Sequence, residues 1–499
     1  MADDLRTKVV SGTKWNVLTS YARQLIALAS QLILARYFLE PSDWGLVGAA
    51  MVVITIVRQC GNFGINYALI QRRDRLEEAS HTGLTLLFAL SAVSYALVLA
   101  VAPYTEAYFS DAAVPRLTAI LALSIFFRPV AVVAEGTLRR EFHLRRIFFL
   151  ETFSQALSTG AAIGVAALLP AGSRYWALVV GGLGREMLRT LTSWHMTNVP
   201  IRFGFDRTVA RELFHYGKFF VFSSIFMVLY ANVERLTLGG LYSTYGLGLY
   251  AFAYGWVFHV GNTSATIFSG VAVPLYAKLQ DHPDRLRESY CRILGYTALV
   301  AVGLLTGLVC VSADAVRLVL LGKYDLTIQV FQFLGFYYII RALDTTTGQL
   351  YVAIGRPKLD MILNGVNLVA LAIVVVPLVL WGGPAGAALA ALAARVVRFA
   401  VNLFLCRRVV GCSIVRMVDA VMPAVRAAGA MALALLGTKL LWPEVRGVEG
   451  YLRLATLIGG GALVYTGVIY LAHRPLFAEV IDLSREALDR RKEPREQET

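Results

Sequence analysis

The stretch "AAMVVITIVRQCGNFGINYALI", residues 49–70, is apolar enough to enter a bilayer, yet it carries Arg58 near its middle and no acidic residue. A spanning helix needs about 20 mostly apolar residues. At about 1.5 Å per residue, Arg58 lies roughly 21 Å along a span that begins near residue 44, close to mid-depth. A permanent cation at that depth is costly unless it faces protein, water or a ligand. The segment therefore poses two questions: whether the chain is a membrane protein, and what its interior cation holds.

Composition answers the first. Of 499 residues, 57% are hydrophobic and only 16% charged, and the mean hydropathy is +0.61. That balance fits a polytopic membrane protein and excludes a soluble enzyme. Apolar runs recur from Gly12 to Leu471 without a long polar stretch between them. Their lengths predict an all-α integral membrane protein with about fourteen spans. These run at roughly 13–38, 44–69, 81–103, 115–136, 147–169, 174–195, 214–239, 248–270, 290–311, 326–353, 358–380, 384–406, 418–441 and 451–472. The connections alternate in charge. "QRRDR" (71–75), "LRREFHLRR" (138–146), "KLQDHPDRLR" (278–287), "GRPK" (355–358) and "CRRVVGCSIVR" (406–416) are basic, whereas "LEPSDWG" (39–45), "LYSTYG" (241–246) and "WGGPAG" (381–386) lack Lys and Arg. The positive-inside rule places both termini in the cytoplasm. The +14 net charge is then a topology signal and not a nucleic-acid footprint. "MADDLRTK" at the N-terminus carries no signal-peptide pattern. The five cysteines show no CxxC or metal spacing, and no disulfide or metal site is expected.

A repeat organises the spans. "SGTKWNVLTS" (11–20) opens the first and "HYGKFFVFSS" (215–224) the seventh; each run ends in a Gly-bearing turn, "SDWGLVGAA" (42–50) and "TYGLGLYAF" (244–252). Both copies start on the same side, so the repeat is parallel. It predicts two six-helix lobes, 12–213 and 214–410, around a central cavity. Two additional spans follow within 411–472, and 473–499 is a charged cytoplasmic tail. Gly61, Gly64, Gly246 and Gly248 are hinge candidates, with close helix packing the alternative.

The charges inside the spans carry the functional reading. Arg23 lies in the cytoplasmic half of span one. Arg58 and Arg128 sit near mid-span without an acid within four residues, and Pro129 favours a kink beside Arg128. Arg341 and Asp344 share one face of span ten, where they can pair with each other. Arg395 and Arg398 share a face of span twelve. Arg36 and Arg189, near span ends, read as snorkelling side chains. Arginine outnumbers acid in these spans, which suits a cavity for an anionic cargo, because a guanidinium stays charged and forks onto phosphate or carboxylate oxygens. Glu234, Asp344 and His259 are the candidates for coupling transport to H⁺ or Na⁺. No Walker motif, HExxH, Cys/His cluster or GxSxG elbow is present, so no catalytic residue, metal or cofactor is assigned and the chain is read as a transporter and not an enzyme. "GGLGRE" (181–186) lies within an apolar span and reads as helix packing.

A family resemblance joins this reading. The segments "LARYFLEPSDWGLVGAA" (34–50), "NYALIQRRD" (66–74), "RYWALVVGGLG" (174–184), "LGLYAFAYG" (247–255), "VAVPLYAKLQDHPDRLRESY" (271–290) and "VAIGRPK" (352–358), in this order, resemble the polysaccharide transporter family of Wzx-type lipid-linked oligosaccharide flippases within the MOP superfamily. The chain departs from the family pattern in having four residues between Arg36 and Pro41. It also has Glu234 where a different carboxylate, often Asp, is typical. The resemblance implies a fourteen-helix bundle working by alternating access in the bacterial inner membrane. It implies a cargo of oligosaccharide on undecaprenyl diphosphate, moved from the cytoplasmic to the periplasmic leaflet for exopolysaccharide, O-antigen or capsule export. It also implies a cationic cavity formed by Arg23, Arg58 and Arg128, to which Arg341 is the second-half candidate. The partners implied are membrane lipids and a polysaccharide polymerase or export machinery. The alternative is a cation-coupled, MATE-like exporter of small amphipathic molecules, which would need an acid-lined cavity.

Overall fold

Glycine and proline mark some of the helix breaks, as at Gly322, Gly355 and Gly411, while Pro103, Pro129, Pro274 and Pro423 lie inside helices. The computed structural model describes residues 2–61, 76–140, 143–196, 202–266, 268–443, 445 and 447–472, and among these residues there is no strand. The first helices are α1 (Ala2–Tyr37), α2 (Pro41–Gly61), α3 (Leu76–Phe109), α4 (Ala113–Leu121), α5 (Ser124–Arg140), α6 (Leu144–Leu168), α7 (Tyr175–Met196) and α8 (Arg207–Leu241). There follow α9 (Thr244–Thr266), α10 (Ser269–Lys278), α11 (Pro283–Leu320), α12 (Thr327–Ala353), α13 (Lys358–Val410), α14 (Ile414–Leu441) and α15 (Val448–Ala472). Among the described residues, 7 helical stretches are long and apolar enough to cross a membrane. The basic connection 71–75, Gly64 and the tail 473–499 lie outside the described residues.

The chain divides into two compact units. The first comprises Met1–Phe252 with Val379–Ala387, and the second Ala253–Leu378 with Ala388–Thr499. In the first unit, α6 and α7 pair, α1 packs on α6, and α2 packs against α3, α4 and α8. Gly181 lies beneath Ala162, where an added Cβ would come within 3.1 Å, so "GGLGRE" serves the close approach of α6 and α7. The four residues between Arg36 and Pro41 form a fixed turn. Arg174 donates to the carbonyls of Phe38 (3.1 Å) and Leu169 (3.3 Å), and the Asp43 carboxylate accepts from the Glu40 amide at 2.9 Å. Asp206 caps α8 by accepting from the amides of Thr208 and Val209 at 2.8 and 3.0 Å, a contact worth about 1 kcal/mol.

Two glycines of the repeat meet within this unit. A Cβ on Gly45 would lie 1.8 Å from the Thr244 carbonyl oxygen, and one on Gly248 would lie 1.7 Å from that of Pro41. Gly248 is thus a point of backbone-to-backbone packing between α2 and α9. A Cβ on Gly246 would press on the Tyr242 ring at 2.6 Å.

In the second unit, α11 packs on α12, α14 and α15, and α10 lies against α12. As one rod, the 53 residues of α13 would reach about 80 Å, close to twice the thickness of a bilayer. Gly383 interrupts the helix with φ 52° and ψ −127°, and Pro384 follows. The interruption reverses the chain, because Arg398 Nη2 donates to Asp360 Oδ1 at 2.9 Å across 38 residues of sequence. The reading of "WGGPAG" as a connection between two spans therefore matches the backbone. The last helices are held to α11 by polar anchors. Asp314 accepts from Arg453 Nη1 at 2.6 Å and pairs with Lys439, and Tyr465 Oη donates to the Leu299 carbonyl at 2.7 Å.

Candidate functional site: an arginine-rich interior

Arg58 comes from α2 and Arg128 from α5, and both line one small open pocket. Ser91 and Ser94 of α3 and Pro129 of α5 complete its polar and kinked side, while Leu87 contributes apolar wall. Neither arginine makes an ion pair among the described residues. Arg128 Nε is buried and without a hydrogen-bond partner. Two like charges on one pocket repel each other, and in a low-dielectric setting that repulsion is large. An anion between them removes it. Donors, burial and net positive charge thus converge on one class of ligand, a phosphate or carboxylate group.

Arg23, the third cation expected here, has a different environment. Its Nη1 pairs with Glu151 Oε2 at 3.3 Å. Glu151 on α6 also receives Arg189 Nη2 at 3.1 Å and faces Arg185 Nη2 at 3.9 Å. Arg189 forks onto Glu135 of α5, with Nε at 2.5 Å and Nη2 at 2.7 Å. Arg189 is therefore an interior ion-pair residue and does not snorkel to a membrane surface. Glu135 and Glu151 are the residues that sequence reasoning missed. The signal for them was an acid inside each of two apolar runs, "VVAEGTL" and "FFLETFS". The cluster ties α1, α5, α6 and α7 together beside this pocket, and the Glu186 carboxylate of α7 acts electrostatically on Arg58 and Arg128.

The second unit carries a separate polar centre. Asp344 on α12 is 1% exposed. Its Oδ2 accepts from Arg395 Nη1 at 3.2 Å and from Arg398 Nε, and its Oδ1 accepts from Asn402 Nδ2 at 2.6 Å. Arg398 extends the network to Asp360 and Asn364, Arg395 reaches Tyr337 Oη at 2.8 Å, and Tyr351 Oη donates to Asn402. Asp344 therefore pairs with the two arginines of α13 and not with Arg341. A metal cation beside Asp344 would also sit beside two guanidiniums, which disfavours it there. Arg341 instead donates to Tyr338 Oη at 3.2 Å and lies over the Tyr338 ring, 5.1 Å from its centre. Glu234 is buried on α8 at 7% exposure. His259 is half-buried on α9 beside Phe258.

The described residues thus combine helices long and apolar enough to cross a membrane with an arginine-rich interior. A family model described as "Polysaccharide biosynthesis protein" matches residues 33–329, more than half of the chain. The chain belongs to this polysaccharide biosynthesis family. It is 25% identical over 371 residues to the lipopolysaccharide biosynthesis protein WzxC of Escherichia coli K12, covering 72% of this chain and 73% of that protein. It is 24% identical over 470 residues to the teichuronic acid biosynthesis protein TuaB of Bacillus subtilis 168, covering 93% and 96% of the two chains. The fold is similar to that of the lipid II flippase MurJ in an inward closed conformation. That likeness has a TM-score of 0.72 at 15% identity, over 93% of this chain and 99% of the other. An inward-facing MATE multidrug transporter of the MOP superfamily superposes with a TM-score of 0.61 at 16% identity, over 78% and 94% of the chains.

Proposed function

We propose that this protein flips an undecaprenyl-diphosphate-linked oligosaccharide from the cytoplasmic to the periplasmic leaflet of a bacterial inner membrane. It does so by alternating access within a fourteen-helix, N-in/C-in topology of two six-helix lobes and two added helices. The observation that carries this reading is the presence of Arg58 and Arg128 on one pocket whose described lining holds no carboxylate. A diphosphate supplies the charge that those two guanidiniums lack. The family and the names of its relatives, lipopolysaccharide and teichuronic acid biosynthesis, support a sugar cargo. Arg341 on α12 is the second-half cation, since Asp344 is engaged elsewhere. Glu234, Asp344 and His259 are the candidates for H⁺ or Na⁺ coupling. A polymerase or export complex would receive the cargo. The exporter alternative calls for acids on the pocket, and its described lining carries two arginines and no carboxylate.

Transport of a lipid-diphosphate oligosaccharide in proteoliposomes tests the reading. Each hydrogen bond to a charged group is worth about 1.5–3 kcal/mol, so Arg58→Ala is expected to slow flipping by about 10- to 100-fold. Arg58→Lys keeps the charge without the fork and should retain part of the rate. An unchanged rate in Arg58→Ala would remove the anion-binding role. Drug efflux without sugar-lipid flipping would move the protein to the exporter class.

A further inference from the structure

Two thiols of the second unit lie almost in contact. Cys291 on α11 and Cys412 in the turn between α13 and α14 have their sulfurs 3.4 Å apart, although 121 residues separate them in sequence. Both are free thiols. The turn that presents Cys412 is fixed from α11 as well. Arg287 Nε donates to the Val410 carbonyl at 2.8 Å. Gly411 adopts φ +72° directly against the Arg287 guanidinium, where a Cβ would come within 2.8 Å. One helix therefore holds both the nucleophile's partner and the turn that carries the nucleophile. Cys412 is buried, whereas Cys291 is part-exposed and gives a small oxidant a way in. The contact from Cys291, together with the Arg416 and Arg287 guanidiniums, holds the Cys412 thiol below its ordinary range. A low thiol pKa favours the reactive thiolate.

We propose that Cys291 and Cys412 form a peroxide-oxidisable dithiol, a modification site that closes to a disulfide and ties the start of α11 to the α13–α14 turn. The Cys412 thiolate attacks one oxygen of hydrogen peroxide. A sulfur–oxygen bond forms, the oxygen–oxygen bond breaks, and the departing hydroxide takes up a proton as water. Cys291 then attacks the Cys412 sulfenic sulfur. The sulfur–sulfur bond forms, the sulfur–oxygen bond breaks, and the leaving hydroxide takes the Cys291 proton as a second water. Two thiols are oxidised and one peroxide is reduced. The gap between the sulfurs must shorten to about 2 Å, a movement small enough for side-chain rotation.

The test uses the full chain in nanodiscs, treated with hydrogen peroxide, alkylated with N-ethylmaleimide and digested for mass spectrometry. The expected result is one linked peptide pair containing Cys291 and Cys412, with two of the five thiols lost to alkylation and recovered by dithiothreitol. The link should be absent from Cys291→Ser and from Cys412→Ser, and should persist in Cys406→Ser. Three results would each overturn the proposal. They are full alkylation of both thiols after peroxide, a sulfinic acid on either residue with no linked peptide, and a link from Cys291 to Cys406.

Discussion

Asp344→Ala should destabilise the protein by about 3–5 kcal/mol, the cost of breaking a buried ion pair by removing one partner. The carboxylate is 1% exposed, and Arg395 and Arg398 are each 5% exposed. Its removal takes from Arg395 its carboxylate and from Asn402 its acceptor, and leaves Arg398 with only Asp360 and Asn364. The loss would be read as a fall in the unfolding midpoint of purified protein in nanodiscs. A companion variant separates the ion pair from its packing. Replacing Asp344, Arg395 and Arg398 together with leucine or methionine of similar volume should restore most of the stability, because desolvated pairs are worth little against apolar isosteres. If Asp344→Ala unfolds within about 1 kcal/mol of the unmodified protein, the ordinary range for unimportant sites, the network does not hold α12 to α13.

That network also shows where the sequence was readable. Arg341 and Asp344, three residues apart on one helix, share a face, and such a pair is worth only about 0.2–0.5 kcal/mol. Three donors on the second half of α13 outweigh it, and Asp344 goes to them. Arg395 and Arg398 were visible as a pair on one face, but which acid they held depended on the reversal at Gly383. The reversal itself was legible, since a Gly-Gly-Pro run cannot continue a helix undisturbed. Arg58 and Arg128 were equally legible as cations within apolar runs, because their cost in lipid is a property of the segment alone; in the structure Arg58 lies in the last turn of α2, and residues 62–69 of its expected span lie outside the described residues. The sharing of one pocket by these two arginines was not legible, because α2 and α5 are brought together by packing and not by local pattern. Arg189 marks the same limit. From its position near a span end it reads as a snorkelling side chain, and only the approach of α5 and α6 supplies Glu135 and Glu151.

The division of charge follows from these pairings. In the first unit, three arginines gather on Glu151 and Glu135, and each acid is nearly enclosed. Glu135 and Glu151 hold helices together. Arg58 and Arg128 make no ion pair among the described residues, although the Glu186 carboxylate acts on both of them; under the proposed function, their remaining charge is what an anionic cargo would meet. The same logic separates Arg341 from Arg395 and Arg398 in the second unit. Two of the three are consumed by Asp344, and the third rests on a tyrosine ring. The proposed division between structural and cargo-facing arginines thus rests on their partners and not on their depth in a span.

The second large effect is expected at the crossing of α2 and α9. Gly45 meets the Thr244 carbonyl, and Gly248 meets the Pro41 carbonyl. Both pairs are offset by the same 203 residues (244 − 41 and 248 − 45), so equivalent positions of the two repeat copies touch reciprocally, as across a local twofold axis. Each helix supplies a glycine for the other helix's backbone to rest on. An alanine at either position drives a Cβ into a carbonyl oxygen at less than 2 Å, and no flexible side chain can yield. Gly248→Ala should then cost about 3 kcal/mol or more, at the upper end for overpacking. Gly160→Ala on α6 is the control, because nothing lies within 4 Å of its added Cβ. That change should be neutral or stabilise by about 0.5–1 kcal/mol through helix propensity. Since both new methyls would push the same pair of helices apart, Gly45→Ala with Gly248→Ala should cost less than the sum of the two single changes. Thermal unfolding of the four variants measures all of this. Equal midpoints for Gly248→Ala and Gly160→Ala would mean that α2 and α9 do not cross at these glycines.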